Sequence, residues 1–140
     1  MTYSLGDNSR KKLIGVDPQM VKVVLRAIAI STQDFAVTCG VRTIEEQAAL
    51  YAQGRTKPGK IVTWTMKSRH LPAKDGLGKA VDLVPWPIDW SRTSKFDAIA
   101  KAMFAAANEL GIQIRWGADW DGDGNYRERG ETDSPHFELL

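Results

Sequence analysis

The sequence predicts an α+β fold, a small antiparallel sheet with flanking helices. Helical periodicity recurs in separate segments that carry capping residues, and short runs of strand character lie between and after them. A length of 140 residues suits one domain, 1–140, since such a chain buries about two-thirds of its extended surface. No repeat or low-complexity tract interrupts it.

The first ten or so residues read as a polar lead-in. The first helix is expected to open at Asp17 and Pro18, because aspartate caps well and proline loses nothing at a position whose N–H has no helical partner. Met20, Val24, Ala27 and Ile28 then recur at helical spacing, with Val21 and Val23 widening the apolar face. Residues 34–40 alternate Phe35, Val37 and Cys39 on one side and end at Gly40, the pattern of a half-buried strand. Thr43 and Glu46 have the spacing of a capping box, opening a second helix that stops near Gly54. Pro58 and Gly59 make residues 55–67 a loop.

Residues 80–84 are apolar and strand-like around Asp82. Val84, Pro85, Trp86, Pro87 and Trp90 follow as a rigid segment suited either to walling a cleft or to covering the core. Ser94 and Asp97 begin the best-defined helix, with Phe96, Ile99, Ala100, Met103, Phe104, Ala107 and Leu110 on one face and Gly111 as its stop. Residues 112–116 and 136–139 read as two further strands.

The chain has two histidines, His70 and His136. A lone histidine is ordinarily a surface or core residue, but Asp82 places a charge inside an apolar run, which is costly unless the carboxylate is paired or metal-bound. His70, Asp82 and His136 therefore read as three ligands to a zinc ion whose fourth position stays open for water, a hydrolytic arrangement. Such a site needs a base. Asp133, three residues before His136, is one candidate, and Glu138, which on a strand would share a face with His136, is its competitor. Arg42 ends a strand, where it could face an oxyanion or be a plain surface arginine. Asp119, Asp121 and Asp123 match the opening of a calcium loop, although its twelfth position is Gly130 and the nearest acids are Glu128 and Glu131. The alternative is a solvated acidic turn. The single Cys39 excludes an internal disulfide and reads as a small buried apolar residue.

The net charge of +2 is unevenly spread. Residues 1–79 carry 13 Lys and Arg against 6 Asp and Glu, net +7, and residues 80–140 carry 6 against 11, net −5. No basic stripe interleaved with aromatics is present, so nucleic acid is not an expected partner. No stretch is long and apolar enough to span a bilayer, and the start lacks a basic, then apolar, secretory signal. The product is expected to accumulate in the cytoplasm of the cell that makes it, without stable membrane association.

In these residues the chain resembles the peptidase M15 family, most closely the small bacteriophage endolysins that act as L-alanyl-D-glutamate peptidases. The likeness rests on Ser68-Arg-His70, on Gly78-Lys-Ala80-Val-Asp82 and on Asp133-Ser-Pro-His136, and it extends to Gly40-Val-Arg42-Thr, Gln47 and Arg115-Trp116-Gly117. It implies the fold of LAS-type D-Ala-D-Ala carboxypeptidases, which is hedgehog-like. It also implies zinc on His70, Asp82 and His136, Asp133 as general base, Arg42 as oxyanion stabiliser, and Ser68 and Gln47 in support. The substrate would be the stem peptide of peptidoglycan, cut by a monomer that needs a holin-like permeabilising partner to reach the wall. The insert over residues 71–77 is longer than the compact family form and leaves Asp75 as an alternative ligand to Asp82. A D,D-carboxypeptidase or dipeptidase of the same family is the second reading, and a non-catalytic, calcium-regulated wall-binding module the third.

Overall fold

One antiparallel sheet of four strands carries the fold, in the order β1-β2-β4-β3. The strands are β1 (Phe35–Cys39), β2 (Ala80–Pro85), β3 (Ile114–Gly117) and β4 (Asp133–Leu139), and the helices are α1 (Asp7–Lys12), α2 (Pro18–Ile30), α3 (Ile44–Ala52) and α4 (Thr93–Leu110). The structure is a computed structural model that describes residues 2–63, 66–128 and 130–140. Residues 64 and 65 of the expected 55–67 loop lie outside the described residues, as does Met1.

The sheet has two chemically different faces because side chains alternate along a strand. Val81 and Leu83 of β2 and Phe137 and Leu139 of β4 join the core formed with α2 and α4, where Met20, Val23, Val24, Ile99 and Met103 are fully or almost fully buried. Asp82, His136 and Glu138 point the other way. Register completes the arrangement: Asp82 is the partner of Cys39 on β1 and of His136 on β4, so three chemically active side chains lie in one row across three strands.

The local signals act as their chemistry requires. Asp17 accepts from the Gln19 N–H at 2.9 Å and caps α2. Thr43 and Glu46 form both halves of the capping box of α3, and Gly111 ends α4 in the left-handed conformation at φ 69°. The polar lead-in is a correction: residues 7–12 form α1, whose Ser9 Oγ accepts from the Val37 N–H at 3.0 Å and ties the helix to β1. One and a half turns are too short to show a helical period. On α4, Phe104 and Leu110 are 40% and 41% exposed rather than core, because the buried stripe runs through Ala102, Ala106 and Ala107 instead.

Candidate active site

A cleft of about 730 Å³ opens on the face of the sheet away from α2 and α4, and His70, Asp82 and His136 meet in it. Asp82 Oδ1 lies 3.1 Å from His70 Nε2 and 3.4 Å from His136 Nδ1, and the two rings stand edge to face with centroids 5.0 Å apart. Asp82 and His136 come from paired strands. His70 arrives from a loop held by two backbone bonds, Arg42 N–H to the His70 carbonyl and Lys79 N–H to the Arg69 carbonyl, both 2.9 Å. Ser68 Oγ accepts from the His70 N–H at 3.1 Å and shapes that turn.

Each imidazole has one nitrogen already committed. His70 Nδ1 is 2.7 Å from the Gly40 carbonyl, and a carbonyl only accepts, so that nitrogen carries the proton. His136 Nε2 is 2.8 Å from Glu138 Oε1 and donates in the same way. What remains is Nε2 of His70 and Nδ1 of His136, both turned to Asp82. This donor set, two nitrogens and a carboxylate oxygen with each ring fixed by an outer acceptor, fits a zinc ion.

Glu138 is therefore committed to His136, with the Arg69 guanidinium 3.7 Å away, and does not serve as a free base. Asp133 does have its carboxylate open: it is about half exposed on the cleft, with Oδ2 3.8 Å from His136 Nδ1. Partial burial and the nearby Asp82 charge outweigh the opposing His136, His70 and Arg42 charges and raise its pKa above the ordinary aspartate value. Arg42 lines the cleft and is aimed by fully buried Gln47, whose Oε1 accepts from its NH1 at 2.7 Å. Asp75 is placed elsewhere. Lys79 Nζ bridges it and Asp17, each at 2.6 Å, which pins the insert against the start of α2.

Cys39 corrects the reading as a plain apolar residue. Its Sγ, a His70 ring nitrogen and an Asp82 oxygen lie within 4.8 Å of one another. The sulfur faces Nδ1 of His70 at 3.7 Å, the edge given to Gly40, and accepts from Arg42 NH2 at 3.4 Å, so it backs the ring rather than its free nitrogen. Burial raises its pKa, but His70 and Arg42 outweigh that and leave it lowered. Trp86 and Trp90 do not wall this cleft and are 51% and 64% exposed. Among the described residues the aromatic wall is Trp120, 5.3 Å from the His136 ring, which the sequence hides inside its acidic run. Leu50, Ile61 and Val62 add an apolar side.

Asp119, Asp121 and Asp123 also converge, with oxygens within 4.8 Å, and a second group joins Asp121 to Glu128 and Glu131. The loop closes on Glu131, one residue beyond the expected twelfth position. Glu131 is 5% exposed, its Oε2 accepts from the Asp121 N–H at 3.2 Å, and its Oε1 is buried with no hydrogen-bond partner among the described residues. Burial and the adjoining carboxylates hold Asp119 above its usual pKa.

A sheet-borne cluster of two imidazoles and a carboxylate, beside an open carboxylate and an aimed guanidinium, defines a hydrolytic class of site. The chain belongs to the phage L-alanyl-D-glutamate peptidase family, which it matches over residues 1–140. It is 36% identical over 146 residues to the L-alanyl-D-glutamate peptidase of Escherichia phage T5, an alignment covering all of both chains. It is 30% identical over 112 residues to the peptidoglycan L-alanyl-D-glutamate endopeptidase CwlK of Bacillus subtilis (strain 168), covering 76% of this chain and 61% of CwlK. Among solved structures, the L-Ala D-Glu endopeptidase ChiX of Serratia marcescens is similar with a TM-score of 0.74 and 31% identity, over 96% of this chain and 87% of ChiX.

Burial lowers the histidine pKa values, but Asp82 with Cys39 for His70, and Asp82 with Glu138 for His136, outweigh it and raise them to about 10 and about 9. The same imidazoles hold Asp82 well below the ordinary carboxylate range although burial opposes this. At pH 7 both metal-free rings are thus cationic, and a metal must displace one proton from each. Zinc binding is expected to release about two protons at pH 7 and to strengthen as pH rises. Calorimetric titration in buffers of different ionisation enthalpy measures this, and release near zero would mean the imidazoles are not the ligands.

Proposed function

We propose that the chain is a zinc-dependent peptidoglycan hydrolase that cleaves the L-Ala–D-Glu bond of the stem peptide, acting as one catalytic domain and as a monomer. The observation that carries this is the pair of opposite ring orientations around Asp82, since each histidine keeps one nitrogen for a shared cation. His70 through Nε2, His136 through Nδ1 and Asp82 through a carboxylate oxygen would hold the ion. When bound, zinc supplies Lewis acidity, lowering the pKa of water and polarising the carbonyl under attack.

The chain's own groups do the rest. Asp133, half exposed on the cleft beside His136, accepts the proton of the attacking water and returns that proton to the departing amine. Arg42, kept in place by Gln47, faces the negative charge that develops on the carbonyl oxygen. Leu50, Ile61, Val62 and Trp120 take the apolar parts of the substrate and limit water in the cleft. In the cell the enzyme would serve host lysis, made in the cytoplasm and reaching the wall once a holin-like partner has permeabilised the membrane. Among the described residues no helix is long and apolar enough to cross a membrane.

We also infer that the acidic loop binds calcium, because Glu131 keeps a buried oxygen with no partner among the described residues and groups with Asp121, one of three convergent aspartates. This is a binding role added to catalysis, not a substitute for it.

Asp133→Asn is expected to lower turnover by roughly 10²–10⁴-fold with zinc retained. Mass spectrometry of digested muropeptides should show a new N-terminal D-glutamate, abolished by chelation. Released terminal D-alanine would point to D,D-cleavage, and undiminished digestion by the variant would remove Asp133 from its role. For the loop, Glu131→Gln should weaken calcium binding at least tenfold in calorimetry; equal binding by both forms would reject Glu131 as a ligand.

A further inference from the structure

The Arg115-Trp116-Gly117 run and Arg127 converge on the segment that carries Asp133. The β3–β4 ladder pairs Ile114 with Leu139, Arg115 with Glu138 and Trp116 with Phe137, then jumps to Gly117 with Asp133. Ser134, Pro135 and His136 are thus looped out of that ladder, and this bulge brings Asp133 and His136 to one cleft.

Three contacts hold the bulge. Gly117 lies so close that an added Cβ would collide with the Asp133 carbonyl oxygen and stand 2.8 Å from Asp133 Cβ, so only glycine lets Asp133 sit there. Trp116, 1% exposed, donates from Nε1 to the Ser134 carbonyl at 2.6 Å. Arg127 donates from Nε to Ser134 Oγ at 3.1 Å, while its NH2 bonds Asp97 Oδ1 at 2.8 Å and so anchors Ser134 to α4. Arg127 is the one described non-glycine residue at positive φ, 61°, and its N–H reaches the Ala118 carbonyl at 2.7 Å. A non-glycine residue persists in that conformation where its surroundings over-determine it, often near functional sites.

We propose that Arg127, with Trp116 and Gly117, is a positioning device for Asp133: by gripping the main chain and side chain of Ser134 it fixes where the neighbouring carboxylate stands in the cleft. This rests on the reading of Asp133 as the base. A displacement near 1 Å can cost on the order of a hundredfold in rate, so the grip matters even though none of the three residues lines the cleft.

The test measures kcat and KM of the zinc-loaded full chain on a soluble muropeptide at fixed calcium, together with zinc content and thermal unfolding. Arg127→Gln, Ser134→Ala and Ser134→Thr are each made alone and with Asp133→Asn. The expected result is a fall in kcat of about 10- to 100-fold for Arg127→Gln and Ser134→Ala, with KM and zinc content nearly unchanged and recovery in Ser134→Thr. Neither substitution should add to the loss already caused by Asp133→Asn. Unchanged kcat in both single variants, or a loss of equal size in the Asp133→Asn background, would overturn the proposal while leaving Asp133 as base. Full turnover by Asp133→Asn alone would sink the base reading and the positioning role with it.

Discussion

Asp82 is a carboxylate inside an apolar strand, and the structure depends on how that charge is satisfied. Its neighbours Val81 and Leu83 are fully buried, so the strand cannot turn Asp82 to open solvent without losing its core face. Two imidazoles meet the same carboxylate oxygen instead, one from the adjacent strand and one from the loop before β2. Taking one partner away from a buried pair of this kind typically costs about 3–5 kcal/mol. The cluster is therefore a constraint on folding as well as a candidate metal centre, and it requires β1, β2, β4 and the His70 loop to be in register together.

Outer contacts turn this cluster into a directed one. The Gly40 carbonyl and the Glu138 carboxylate each occupy one ring nitrogen, Nδ1 of His70 and Nε2 of His136. Gly40 can do this because it has no side chain: a Cβ there would run into the Lys12 carbonyl at the end of α1. A helix at the chain's start thus helps set the orientation of a histidine near its middle. Acidic loop, bulge and cleft are similarly continuous, with Glu131 in the loop and Asp133 on the cleft only two residues apart.

Much of this was legible in the sequence where the signal is local. The Asp17 cap, the Thr43 and Glu46 box, the Gly111 stop and the strand around Asp82 each depend on residues within a few positions, and each forms as read. The three-residue spacing of Asp133 and His136 likewise brings both to one cleft, though through a bulge that spacing does not reveal. What was illegible depends on partners distant in sequence. Glu138 looks like a competing base until the ring it holds is placed beside it, and Cys39 looks apolar until strand pairing sets it behind His70. Trp86 and Trp90 suited a cleft wall and a core cover equally and stand exposed instead, while Trp120, which does line the cleft, had no signal among its acidic neighbours. Phe104 and Leu110 fit the helical period but fall at the margin of a face that alanines complete.

The account turns on two histidines offering different nitrogens to one cation. Long-range nitrogen-15 NMR of the imidazoles, recorded before and after addition of one equivalent of zinc, tests this most directly. The result required is His70 protonated at Nδ1 and bound through Nε2, with His136 protonated at Nε2 and bound through Nδ1. The same tautomer in both rings, or no change on adding zinc, would contradict it.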